Sequence, residues 1–194
     1  FFREYYALIP ILAIGMYLAT FIKFTKKAYS TLFYGIIVAI FVSFSHGIIK
    51  GEYISKSTRQ DHLDKSVNYV INSSVQSPIS QDTWYGEGIG IFYGFFAVNL
   101  PLLEGVKNIF SPQVIAFVIW QSFVFYILIV QLGRCLINKK ENQLKLWDLL
   151  ILFSYFIIQG IFEPDLGTSV RHKMGFLPLI YFAFYYDNIR KKIQ

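Results

Sequence analysis

The chain is written in long unbroken apolar runs rather than in alternating or one-faced patterns. Five runs stand out, at residues 5–22, 28–49, 112–132, 146–162 and 174–186. None alternates with a period of two, so the strands of a membrane barrel are not expected. A helix that crosses the hydrocarbon needs about 20 apolar residues, within about 17–25. The second and third runs meet this, and the first and fourth sit near the lower limit. The fifth is too short unless it starts inside the polar stretch before it, which would make it 169–186. Lipid offers no partner to an unpaired peptide group, so each run predicts a helix. The expectation is an all-α fold, a polytopic membrane helix bundle of about five spans in a single domain over 1–194.

Residues 50–111 separate the second and third runs and are expected to form an outer loop. Its first part, to Asp82, is polar and mixes both charge signs. From Trp84 the character changes. Gly86-Glu-Gly-Ile-Gly-Ile-Phe-Tyr-Gly-Phe-Phe-Ala-Val-Asn-Leu-Pro101 is apolar, but short and rich in glycine. It predicts an interfacial or re-entrant element lying over the bundle.

Composition supports this reading. The chain is 55% hydrophobic and only 15% charged, with a mean hydropathy of +0.46. Soluble domains carry about 25% charged residues. A water-soluble core is therefore excluded as an expectation, and the lipid bilayer is the first partner. Cys135 is the only cysteine, so no internal disulfide is available and no thiol-based zinc or redox motif is present. Phosphate loops, dinucleotide fingerprints and His-Glu-x-x-His are absent from the sequence. No cofactor and no metal are expected.

Charge sets an orientation. Lys23, Lys26 and Lys27 follow the first run. Arg134, Lys139, Lys140 and Lys145 follow the third, and Arg190, Lys191 and Lys192 lie in the tail. These three places alternate correctly to share one side and hold ten basic against three acidic residues. The rest holds eight basic and nine acidic residues. The positive-inside tendency places the basic side in the cytoplasm, with the beginning of the chain outside and its end inside. The formal charge of +6 is then a topology signal, and no nucleic-acid partner is expected. Tyr5, Tyr6, Trp147, Tyr185 and Tyr186 fit interfacial belts. An outside start at Phe1, without an initiator Met, leads us to expect a piece of a longer protein with at least one earlier span.

Candidate chemistry concentrates in Glu163-Pro-Asp-Leu-Gly-Thr-Ser-Val-Arg-His-Lys173, a polar stretch between two apolar runs. Arg171, His172 and Lys173 are cationic candidates on the outer side, against the orientation bias. Arg presents a planar fork suited to phosphate and Lys a point charge. Thr168 and Ser169 are placed to cap a following helix, whose first amides favour an anion. His172 suits a general base, since imidazole as a class exchanges its proton near neutral pH; Glu163 and Asp165 are carboxylate candidates for the same work. His46, near the outer end of the second run, and Arg59, in the polar loop, complete the substrate-binding candidates. The competing account of the same residues is that acidic and basic groups simply pair with one another and with lipid head groups.

The order of these features, with Gly167-Thr168, Arg171-His172-Lys173 and Pro178, resembles the C-terminal half of bacterial multi-spanning proteins of surface-polysaccharide assembly, the O-antigen-polymerase-like and lipid-linked sugar transferase group. The resemblance covers about residues 54–186 and rests on short motifs. It implies an inner-membrane protein that handles polyprenyl-diphosphate-linked saccharide on the outer face, with other membrane subunits as further partners. Arg171 and Lys173 would hold the diphosphate, and Glu163, Asp165 or His172 would assist glycosyl transfer. Two other classes fit the composition: a non-enzymatic membrane binder such as an immunity protein, and a transporter or flippase fragment.

Overall fold

The computed structural model describes residues 4–22, 27–54, 77–80, 82–107, 110–163 and 166–193. Among them every regular element is helical. The order is a 3-10 turn at Glu4–Ala7, α1 (Leu8–Ala19), α2 (Lys27–Lys50), α3 (Trp84–Asn99), α4 (Leu102–Lys107), α5 (Pro112–Ile137), α6 (Gln143–Phe162), α7 (Leu166–Lys173), a second 3-10 turn at Met174–Phe176, and α8 (Leu177–Ile193). Among the described residues α2, α5 and α6 are long and apolar enough to cross a membrane, by length and composition. At 20–26 residues they measure about 30–39 Å at 1.5 Å per residue, the thickness of a bilayer's hydrocarbon. Tyr5–Ala19 is apolar but shorter.

The centre of the bundle is α6. Between residues 145 and 162 only Trp147 and Ile151 escape full burial. A helix apolar on all sides must be enclosed by other helices, and α6 packs against α1, α2, α3, α5 and α8. Around it Phe125, Phe153 and Phe156 pack edge-on or tilted, geometries favoured by the ring quadrupole.

Glycines set the closest approach. α3 buries Gly86, Gly90 and Gly94, together with Glu87, Ile91, Phe95 and Val98. Residues four apart share a helix face, so the three glycines form one smooth strip. On the α6 side, a Cβ at Gly160 would lie 2.5 Å from both the Cα and the amide nitrogen of Phe95. Only glycine lets the two backbones come this near, the small-residue contact that membrane helices use. The expected interfacial or re-entrant element is therefore a regular helix packed into the bundle, with Thr83 accepting from the Gly86 amide at its N-terminus. Gly-rich composition here serves packing.

The basic segments meet at one end. Lys139 Nζ donates to Thr20 O at 2.5 Å, at the C-terminus of α1. Lys145 Nζ pairs with Asp187 Oδ2 at 3.0 Å, and Arg190 Nη1 donates to Glu141 O at 2.9 Å. Burial, and then the nearby Lys27, hold the Lys139 ammonium below the ordinary lysine value. The connection between α5 and α6, with the first turn of α6, thus reaches both the end of α1 and the last turns of α8.

The fifth run is segmented. Residues 169–186 comprise the second half of α7, the 3-10 turn and the first part of α8, in place of one continuous helix. α7 covers Leu166–Lys173, so most of the polar stretch is helical. Thr168 and Ser169 consequently lie inside α7 instead of capping it.

Candidate functional site

Opposite the basic end, α6 stops at Glu163, whose backbone leaves the helix in an extended conformation. The Glu163 side chain is 0% exposed. A buried carboxylate is costly unless donors surround it. Glu163 Oε1 accepts from the Tyr5 hydroxyl at 3.1 Å and pairs with His172 Nδ1 at 2.6 Å. The Tyr5 ring is fixed in turn by stacking on Phe162, with centroids 4.3 Å apart. His172 comes from the last turn of α7, so the first 3-10 turn, the end of α6 and α7 build this contact together.

Successive residues on a helix diverge by about 100°, and the basic trio shows it. Arg171 is exposed, His172 is turned to Glu163 and Lys173 is buried. Lys173 Nζ donates to Val98 O at 3.0 Å and lies 5.6 Å from the centre of the Phe156 ring. Val98 is in the last turn of α3, where carbonyls lack intrahelical donors. Lys173 therefore caps α3 from another helix, at its partially negative end. The cations expected to gather at one point instead face different surroundings.

A second set of polar groups lies between α3, α6 and α7. Asn99 Nδ2 donates to Phe95 O at 2.9 Å and to Phe156 O at 3.0 Å. Gln159 Nε2 donates to the Tyr155 oxygen at 2.6 Å and to Ser169 O at 2.9 Å. The Tyr155 ring stacks on Phe176 with centroids 3.5 Å apart, which seats the 3-10 turn against α6. Neither Asn99 nor Gln159 stands out as a site residue in the sequence, since each is one polar letter in an apolar run. The signal available was that polar residues inside membrane helices face a bundle interior or a wet cavity.

The other candidates are elsewhere. His46 Nδ1 lies 2.9 Å from Glu52 O, holding the chain as it leaves α2. Beside it, Ser43 donates to the buried Glu87 at 2.5 Å. Thr168 is half-buried on α7, one turn before His172 and so on the same face. Asp165 and Arg59 lie outside the described residues. No group of three or more His, Cys, Asp or Glu with metal-binding geometry occurs among the described residues.

An apolar groove of about 630 Å³ runs between α2, α3 and α5. Its walls include Phe33, Phe92, Phe95, Phe96 and Phe125, and it reaches Leu100, just past the α3 turn that Lys173 caps.

The carboxylate–imidazole contact defines what the site can do. With Nδ1–H given to Glu163, the other ring nitrogen is the basic one, and the carboxylate fixes that tautomer. No protein-family description, curated protein or solved structure matches the chain.

Proposed function

We propose that this chain is an integral membrane protein that binds a polyprenyl-diphosphate-linked saccharide at the Glu163 end of the bundle and transfers or polymerises the sugar there, in surface-polysaccharide assembly. The observation that carries the reading is the buried Glu163 carboxylate on His172, one residue from the exposed Arg171. Arg171 is placed to take a phosphate by its guanidinium fork. Glu163 is too buried to touch a substrate, so it positions His172. The His172 Nε2 then removes the proton from the acceptor sugar's hydroxyl as that oxygen bonds to the anomeric carbon. The bond from that carbon to the diphosphate oxygen breaks, its electron pair stays on the diphosphate, and Arg171 offsets the charge. The groove beside α3 offers an apolar bed for the lipid chain. In this reading the basic end is cytoplasmic and the Glu163 end faces outward in the bacterial inner membrane. Arg171→Ala should abolish polymer at unchanged protein level; wild-type polymer in that variant would remove the proposal.

A transporter is the second reading, favoured by a different observation. α3 ends inside the bundle before Leu100-Pro101, α7 and α8 are separated by a 3-10 turn, and Lys173 joins the two breaks. Broken helices with polar ends at mid-bundle are what carriers use to hold their cargo. It predicts lipid or solute movement in vesicles that does not require a sugar acceptor.

A further inference from the structure

At the basic end of the bundle, α6 carries a second buried acid. Asp148 is 7% exposed, and neither of its carboxylate oxygens has a hydrogen-bond partner among the described residues. It lies at the opposite end of α6 from Glu163, about 22 Å away along the helix at 1.5 Å per residue.

Residues three and four apart share a helix face. For Asp148 these are Leu144, Lys145, Ile151 and Leu152, of which only the lysine is polar. Lys145 Nζ is turned to α8, where it pairs with Asp187 Oδ2 at 3.0 Å and lies 5.7 Å from the centre of the Tyr186 ring. Its charge acts on Asp148, but it gives the carboxylate no hydrogen bond. From the other helices, α5 brings Cys135, buried near Lys145 and Asp187. α1 brings Tyr17, stacked on the adjacent Trp147, and Lys27 of α2 acts on Lys139. Asp148 stands in the second turn of α6, past the free amides of the first. A carboxylate buried without donors takes up a proton in preference to staying ionised.

We propose that Asp148 is a proton-binding site: it holds a proton at neutral pH, and Lys145 is the charge that lets the proton leave. The oxygens available decide among small cations. A metal ion needs several oxygen ligands, and no group of three or more His, Cys, Asp or Glu stands together among the described residues. A proton needs one oxygen. Water would offer donors to the carboxylate but no charge to offset it. Lys145 links the acid to Asp187, which is exposed, and so to water at the basic end. Ionisable side chains inside membrane helices mark proton and ion paths. This one opens on the side opposite the proposed sugar transfer, and the site stands whether or not that reading holds.

Infrared spectroscopy of the protein in ester-free detergent micelles reads the site, because a protonated carboxyl and a carboxylate absorb at different frequencies. An exposed aspartate is ionised at neutral pH, so a protonated-carboxyl band there reports a buried acid. The parent protein should show this band at neutral pH. It should shift when the aspartates carry isotope-labelled carboxyl carbon, and it should vanish in Asp148→Asn. Raising the pH should remove it. Lys145→Met should move that loss to higher pH by about one unit or more, since an opposing cation favours the ionised form. Should Asp148→Asn fail to fold, the isotope shift in the parent decides the matter. No band at neutral pH, a band that the label does not move or that survives in Asp148→Asn, or a loss at the same pH in Lys145→Met, overturns the proposal.

Discussion

Glu163 Oε1 and His172 Nδ1 lie 2.6 Å apart across nine residues of sequence. The carboxylate is fully buried and the imidazole 26% exposed, so the two partners are unequal. Removing His172 strands a buried carboxylate, whereas Glu163→Gln keeps an acceptor for Tyr5 and for the ring. His172→Ala should therefore cost about 3–5 kcal/mol, the range for breaking a buried pair from one side. Glu163→Gln should cost about 1 kcal/mol. Reversible unfolding in mixed micelles ranks the two, and the reverse order would mean that the pair is not buried as described.

Gly160→Ala tests the backbone contact between α3 and α6. Its methyl would meet the Phe95 Cα and nitrogen, which have no rotamer to yield. Overpacking against side chains costs about 1–3 kcal/mol, and here the backbone itself must shift, so little folded protein should be recovered. Gly175→Ala, with nothing within 4 Å of the added carbon, should behave as the parent. Size-exclusion profiles of the two variants make the comparison.

Much of the helix inventory was legible in the apolar runs. The run at 28–49 became Lys27–Lys50, 112–132 lengthened to Ile137, and 146–162 began three residues earlier, at Gln143. Continuous apolarity is enough for this, because lipid and core make the same demand. α3 was harder: its glycines lower helix propensity, yet its backbone at Gly94 and Phe95 is what Gly160 of α6 approaches. The site was legible as to region and partly as to residues. Glu163 and His172 stand in the polar stretch and do meet. Lys173 was misplaced because a hydropathy pattern sends every lysine to the surface, while a helix beginning at Leu166 turns residue 173 inward. Asn99 and Gln159 bond across helices, and local pattern does not encode such partners.

Asn99→Ala removes two hydrogen bonds, to Phe95 O and Phe156 O. At about 1 kcal/mol each, the loss should be about 2 kcal/mol in the same unfolding assay. Asn99→Gln should not rescue it, since the longer amide overshoots the Phe156 carbonyl. Full rescue would show that the bonds are not specific.

Sidedness is accessible by thiol labelling. Cys135, the natural thiol, is buried, so background reaction with a bulky maleimide should be slight. Lys140→Cys at the basic end and Pro78→Cys before α3 are both exposed positions. In intact cells an impermeant reagent should mark only the second. Equal labelling, or labelling of residue 140 alone, contradicts the proposed orientation.

Binding to the protein in nanodiscs tests the central claim most directly, by comparing a polyprenyl diphosphate with the corresponding polyprenol. Tighter binding of the diphosphate is predicted, with Arg171→Ala weakening it by about tenfold or more, as loss of a charge-assisted contact requires, and leaving the polyprenol unchanged. Equal binding of the two lipids, or a diphosphate affinity indifferent to Arg171, would contradict the account.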